Sequence, residues 1–428
     1  MSNTGLNEEA WKKLFKKYDI LQHIEDDGYF NISAIQIKEF REPRLMTKFD
    51  HSVNLPMLFL ENNLSILPIT RGDYVISHFD AYHKFEPYIS DIINNSIPKY
   101  IQSLDSKNIS SEAIALNCAF VSGIIADFLE DTEIVPTVSG RMGSGKFSFT
   151  INDIKTRDSH LIDVENSQIE IDAAYEGLNY LALFEAKRDL SEDFLVRQLY
   201  YPFRVWKDKV IKPVKPVFLV YSNGIYRLYE YMFEHYDNYN SLKLVKQKHY
   251  SVWDTTISSL DIQEILQNTA IVKEPDLPFP QANKFERIIN LCELLTVRDL
   301  SRSDVTGQYD FDIRQTNYYT DAALYLGLLN KKEDGGEPFY SISTNGKKIL
   351  DLDLKQRQLE FCKIILSHKA FNMTLQKYFQ KGEMPEIEEI VYIMKQSDLY
   401  NVQSEKTFIR RASTIKAWIN WIVSLIND

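Results

Sequence analysis

Two apolar runs in this chain close on charges. Residues 168–174 (QIEIDAA) carry Asp172 near their end, and residues 180–187 (YLALFEAK) finish on Glu185-Ala186-Lys187. Both read as strands, and a charge at the end of a buried strand is costly unless it is paired, bound to metal or exposed in a cleft. If the runs pair across the turn 175–179, two acids and one lysine converge. Residues two apart on a strand share a face, so Glu170 points with Asp172 and Glu185 with Lys187.

A chain of 428 residues, 44% of them hydrophobic, can build large cores and should divide into two or more domains. No run reaches the ~18–20 apolar residues of a membrane span, and the polar N-terminus lacks the apolar core of a signal peptide. These features predict a cytoplasmic protein with no membrane partner. Cys118, Cys292 and Cys362 are few, scattered and odd in number. That fits a reducing compartment and excludes a cysteine-based zinc site. The net charge of −11 argues weakly against nucleic acid, because a global sum hides local patches. From Thr344 onward Lys and Arg slightly outnumber Asp and Glu.

Along the chain, residues 7–16 read as a short amphipathic helix and 29–85 as mixed strands and turns. The spacing predicts a buried helix over 111–129 and strands at 134–138 and 147–151. Residues 191–208 open on Ser and two acids, as a helix N-terminus should, with Pro202 inside. The run 216–221 (PVFLVY) is typical of a strand buried on both faces, and Gly224 turns the chain into another strand, 225–232. The order describes an α/β core. Residues 272–284, with three prolines, read as a linker. Beyond it come helices at 285–295, 299–304 and 312–326, a charged turn at 331–338 and a strand at 339–342, which is the plan of a winged helix-turn-helix. The rest is helical. The resulting division is an N-terminal mixed region 1–105, a core 106–271, the linker, a winged-helix part 285–350 and a helical part 351–428.

Asp172 and Glu185 are suited to hold Mg²⁺ through carboxylate oxygens, with the Ala186 carbonyl as a further hard ligand. Lys187 would then orient an attacking water and face the developing charge. Two carboxylates beside an ammonium are what a metal-dependent phosphodiester hydrolase needs. The same residues also fit an exposed amphipathic hairpin with a cross-strand ion pair, and D-x(12)-E-x-K alone is a loose motif.

With the helix and buried strand behind it, this motif resembles that of the PD-(D/E)XK nuclease superfamily. Ile171-Asp172 stands in place of Pro-Asp, and Glu185-Ala186-Lys187 is the ExK element. The resemblance spans roughly 111–232 and implies a core of mixed sheet flanked by helices, in an α/β (α+β multidomain) chain. It also implies that Gln198 lies beside the active site, although Gln198 equally fits a polar residue on a surface helix, and that Glu112 is an additional acid, although at a helix start Glu112 fits a cap better.

Gly140-Arg-Met-Gly-Ser-Gly145-Lys146 matches the GxxxxGK of a phosphate loop but runs into a strand instead of a helix. It reads as a glycine-rich turn whose Arg141 and Lys146 are placed to touch DNA backbone. In the presumed recognition helix, Asp312 opens DIRQTN; Arg314 and Gln315 suit base edges, Asn317 suits adenine or phosphate, and the hydroxyls of Tyr318 and Tyr319 suit phosphates. Lys406, Arg410, Arg411 and Lys416 form a second basic cluster that fits either phosphates or a solvated helix face. Residues 40–51 and Arg71 resemble in their order the N-terminal parts of some bacterial type II restriction enzymes.

By resemblance, the expectation is a prokaryotic type II restriction endonuclease acting on double-stranded DNA with Mg²⁺. Its genetic partner would be a cognate DNA methyltransferase, and two-strand cleavage implies a homodimer or sequential nicking. The rivals are a structure-specific repair or recombination nuclease of the same superfamily and a DNA-binding regulator with an inactive nuclease fold.

Overall fold

The computed structural model describes residues 3–87, 91–107, 109–253, 256–308 and 313–427. It is mixed α/β, with a mixed central sheet and a helical C-terminal third. No described helix is long and apolar enough to cross a membrane.

Seven strands form the central sheet: β1 (Ile92–Asn94), β2 (Val135–Pro136), β3 (Ala173–Glu176), β4 (Leu181–Lys187), β5 (Val214–Ser222), β6 (Ile225–Phe233) and β7 (Leu242–Ser251). Their spatial order is β1-β7-β6-β5-β4-β3-β2, and β4 runs parallel to β5 while β3 is antiparallel to β4. The apolar run predicted as a strand buried on both faces is β5. Val217 and Leu219 pack under helix α1 (Glu112–Val121), and Phe218 and Val220 pack on the side of helix α2 (Arg197–Lys207). Between β5 and β6 the chain reverses through Asn223 and Gly224, both at positive φ, as a two-residue hairpin turn demands. A Cβ at Gly224 would stand 2.9 Å from a terminal methyl of Leu354, which would have to shift.

Several expectations are corrected. Residues 168–174 are not one strand: Gln168–Ile171 pairs with Gly140–Gly143, and only from Ala173 does the chain pair with β4. The bend between them falls at Asp172. Half of the glycine-rich segment is therefore itself a strand, followed by the predicted strand at Lys146–Asn152. Helix 111–129 divides at Gly123, which has φ +78° and breaks the helical path. Residues 191–208 are not one helix, because Asp193–Leu195 is a strand paired with Tyr82–Lys84. Tertiary pairing overrides the local helix-start signal there. Ser159–Glu165, β7 and helix Ser259–Asn268 had no sequence expectation.

C-terminal to the sheet lie helix α3 (Phe285–Leu295), strand Leu300–Ser301, helices α4 (Arg302–Gln308) and α5 (Ile313–Tyr325), and strands Leu329–Asp334 and Glu337–Ile342. The three strands form one small sheet. The predicted helix 299–304 begins only at Arg302, and most of the predicted turn 331–338 is strand; the reversal is confined to Gly335-Gly336, both at positive φ. Asp312, expected to open the recognition helix, lies outside the described residues. The stretch 272–284 contains no helix or strand, yet it is packed. Phe279 and Ala282 are buried in the C-terminal core, and the Trp418 indole N–H donates to the Ala282 carbonyl at 2.6 Å. That core also takes in Ile262 and Leu266 of the helix before this stretch.

Candidate active site

Asp172 sits at the bend where the chain leaves one strand pair and joins β4. Its Oδ2 accepts the Ala186 N–H at 2.8 Å. The N–H and C=O of one strand residue point to the same edge, so the Ala186 carbonyl also faces Asp172. Glu185 and Lys187 continue the face of β4 that carries Leu183, on the side where α2 packs. Lys187 Nζ reaches Glu185 Oε1 at 2.5 Å, and Gln198 Nε2 of α2 donates to the same oxygen at 2.7 Å. Asp172, Glu185, Lys187 and Gln198 therefore meet at one point. Glu112 heads α1, where Ser111 caps the helix, and its charge is near enough to act on Asp172.

Burial governs the electrostatics. Glu185 is 8% exposed, and its carboxyl is pushed up to about 7 by desolvation and by Asp172, against the pull of Lys187. Desolvation likewise raises the pKa of Asp172, with the Ala186 N–H and Lys187 opposing. At Lys187 burial disfavours the ammonium, but Glu185, Asp50 and Asp172 outweigh it and the pKa rises. Two desolvated carboxylates favour a cation, and the donor set is oxygen only. It suits Mg²⁺, commonly held by one or two carboxylates plus water and phosphate. Among the described residues no group of three or more His, Cys, Asp or Glu is placed to hold a metal ion.

Sequence reasoning missed part of this site. Asp50 and His51 arrive from the N-terminal region. Asp50 acts electrostatically on both Glu185 and Lys187. His51 Nδ1 lies 2.6 Å from the Asp193 carbonyl and Nε2 lies 3.0 Å from Asp189 Oδ2. The ring thus lies between the Asp193 carbonyl and the Asp189 carboxylate, and its proximity helps hold the Asp189 carboxyl below the usual carboxylate range against the effect of burial. Ser52 donates its N–H and hydroxyl to Asp193. The signal was present as KFDH at 48–51, but no local pattern ties it to a strand more than a hundred residues away. From the other side, Asn290 of α3 donates to the Arg188 carbonyl at 2.7 Å and accepts the Leu190 N–H at 3.2 Å. The segment after Lys187 is thus held by both flanking regions.

The residues expected to touch DNA fall into separate places. Arg141 is exposed on Gly140–Gly143, bonded to Glu170 at 3.2 Å, two residues before Asp172. Lys146, also exposed, lies 3.7 Å from Glu165. Arg314 is exposed on α5, with Gln315, Asn317 and Tyr318 half-buried. Tyr319 instead belongs to the core and stacks under the Arg287 guanidinium, which corrects its expected phosphate role. Helix α6 (Glu405–Ser424) brings Arg411 within electrostatic reach of Tyr318 and Asp321 on α5, with Arg410 its exposed neighbour in the chain. Burial and Arg410 lower the Arg411 pKa, while Tyr318 and Asp321 oppose that shift. Lys416 stands apart from Arg411; five residues on, it lies about 140° around the helix.

Three family profiles, each described as a domain of unknown function, match successive parts of the chain: DUF6996 over residues 8–76, DUF6997 over 77–251 and DUF7226 over 287–427. Asp172, Glu185, Lys187 and Gln198 lie in the second match, Asp50 and His51 in the first, and Asn290 in the third. No curated protein and no solved structure matches the chain.

Proposed function

We propose that the chain is a Mg²⁺-dependent endonuclease with a PD-(D/E)XK core, acting on double-stranded DNA as a type II restriction enzyme. The observation that carries this reading is the meeting of Asp172, the Ala186 peptide, Glu185, Lys187 and Gln198 at one end of β4. An amphipathic hairpin with a surface ion pair would leave these groups exposed, whereas Glu185 and Gln198 are buried.

Asp172, Glu185 and the Ala186 carbonyl would hold the cation, which when bound neutralises the scissile phosphate and lowers the pKa of a coordinated water. Gln198 fixes the Glu185 carboxylate. Lys187 orients the attacking water and faces the charge that grows on the phosphoryl oxygens. Water attacks phosphorus in line, the bond to the 3′ oxygen breaks, and that oxygen takes up a proton, leaving a 5′-phosphate and a 3′-hydroxyl. The helix–strand–helix–helix–strand–strand order from α3 supports a winged helix, with α5 and the adjoining Arg410 and Arg411 as the DNA-facing surface. A cognate methyltransferase would protect host sites, and two chains would cut the two strands.

Incubating the purified protein with unmethylated phage DNA and Mg²⁺, then sequencing the fragment ends, tests the reading. Discrete ends sharing one sequence are expected. Smearing would favour a structure-specific nuclease, and specific duplex retention with no cleavage would favour a regulator.

A further inference from the structure

Where α3 and the C-terminal helices meet the central sheet there is a cavity of about 140 Å³. Lys107 and Arg188 line it from the core side, Lys347 and Arg357 from the C-terminal side, together with Glu293 and Asp351. Four cations gather here in a chain of net charge −11. Glu293 is already occupied: it accepts the Ser222 hydroxyl at 2.9 Å and the Asn223 N–H at 2.9 Å, and lies 3.6 Å from Arg357. Among the described residues, neither Lys107 nor Lys347 has a carboxylate within ion-pair distance. Arg357 is 6% exposed, and its Nε is buried without a hydrogen-bond partner. Arg188 Nε is likewise buried and unpartnered, while its Nη1 donates to the Ser110 carbonyl at 2.8 Å.

Buried donors left unpaired cost free energy unless a ligand or water takes them. Guanidinium and ammonium groups converging on a partly desolvated space select an anion rich in acceptor oxygens, and phosphate suits them best. The volume is close to the roughly 150 Å³ known to accept one small ring and well under a drug-sized pocket. We infer that this cavity binds a small phosphate-bearing anion, about the size of pyrophosphate. Arg188 directly follows Lys187, so an occupant ties the end of β4 to the C-terminal region. The inference is independent of the hydrolase reading, because none of its residues belongs to the Asp172 site.

The test is calorimetric titration of the full chain with sodium pyrophosphate, at fixed ionic strength and with EDTA present so that no cation is carried to Asp172. Saturable one-site binding is expected. Lys107→Ser and Lys347→Ser, both at exposed positions, should each weaken it roughly tenfold without changing the thermal midpoint of the unliganded protein. No binding by the folded wild-type chain, or unchanged affinity in both variants, overturns the inference. Repeating the titration with saturating mixed-sequence duplex separates two sources of the phosphate. Competition assigns the cavity to a DNA backbone phosphate and its absence to a free anion; either result upholds an anion site.

Discussion

His51 Nε2 lies 3.0 Å from Asp189, which places the N-terminal region in contact with the segment that follows Lys187. Removing the ring takes away the group that offsets the desolvation of the Asp189 carboxylate and leaves that buried charge less compensated. His51→Ala should therefore lower stability by about 3 kcal/mol. In a double-mutant cycle with Asp189→Asn, read from urea unfolding, the pair should lose clearly less than the sum of the single losses. Strict additivity would mean that the two side chains are not coupled.

For the reacting groups, Lys187→Ala and Asp172→Ala should each reduce DNA cleavage by at least about a hundredfold, the effect typical of removing one preorganised charge-stabilising group. Duplex affinity in a filter or anisotropy assay should stay near wild type. Wild-type cutting by either variant would remove the assignment of the site.

Asn290 links α3 to the segment after β4 through the Arg188 carbonyl and the Leu190 N–H. Asn290→Ala leaves those backbone groups unpaired in a buried seam, at about 1–3 kcal/mol of stability. The urea midpoint should fall accordingly. Cleavage should fall further than duplex affinity, since the disturbed residues adjoin Lys187 and not the α5–α6 surface.

On that surface, Arg410→Ala and Arg411→Ala should weaken duplex binding about equally for all sequences. Each should reduce the slope of log affinity against log salt by about one. Arg314→Ala, at an exposed position on α5, should instead alter which sequences are preferred. Titrations at several salt concentrations, on two unrelated duplexes, separate the two behaviours.

Acid sensitivity has a separate source in β7. Desolvation, with the Arg227 guanidinium, depresses the His249 pKa from 6.5 to about 3. The unfolded chain takes up this proton below about 6.5, while the folded chain excludes it. The contribution is thus fully present above that value and is lost as pH falls toward 3. His249→Gln should show a flatter fall of the urea midpoint between pH 6.5 and 3 than the wild type, with no difference in slope above pH 7.

The convergence of Asp172, Glu185 and Lys187 was legible in the sequence because strand alternation and a short turn are local rules. So was the doubly buried β5, whose continuous apolar run has one reading. The Asp172 bend was less legible, since Gln168–Ile171 pairs with Gly140–Gly143 and nothing local announces that partner. Asp193 read as a helix-start acid and is instead a buried strand residue bonded to Ser52. Its local preference yielded to long-range pairing.

Sequence alone determined the periodicities, the apolar strands and the chemistry of the groups at the end of β4. Only the tertiary structure decided what surrounds those groups: Asp50 and His51 from one side, Asn290 from the other, and the cationic seam behind Arg188. Such contacts join residues one hundred or more positions apart. Their energy depends on burial and distance after folding, and neither quantity is encoded in any short window of the chain.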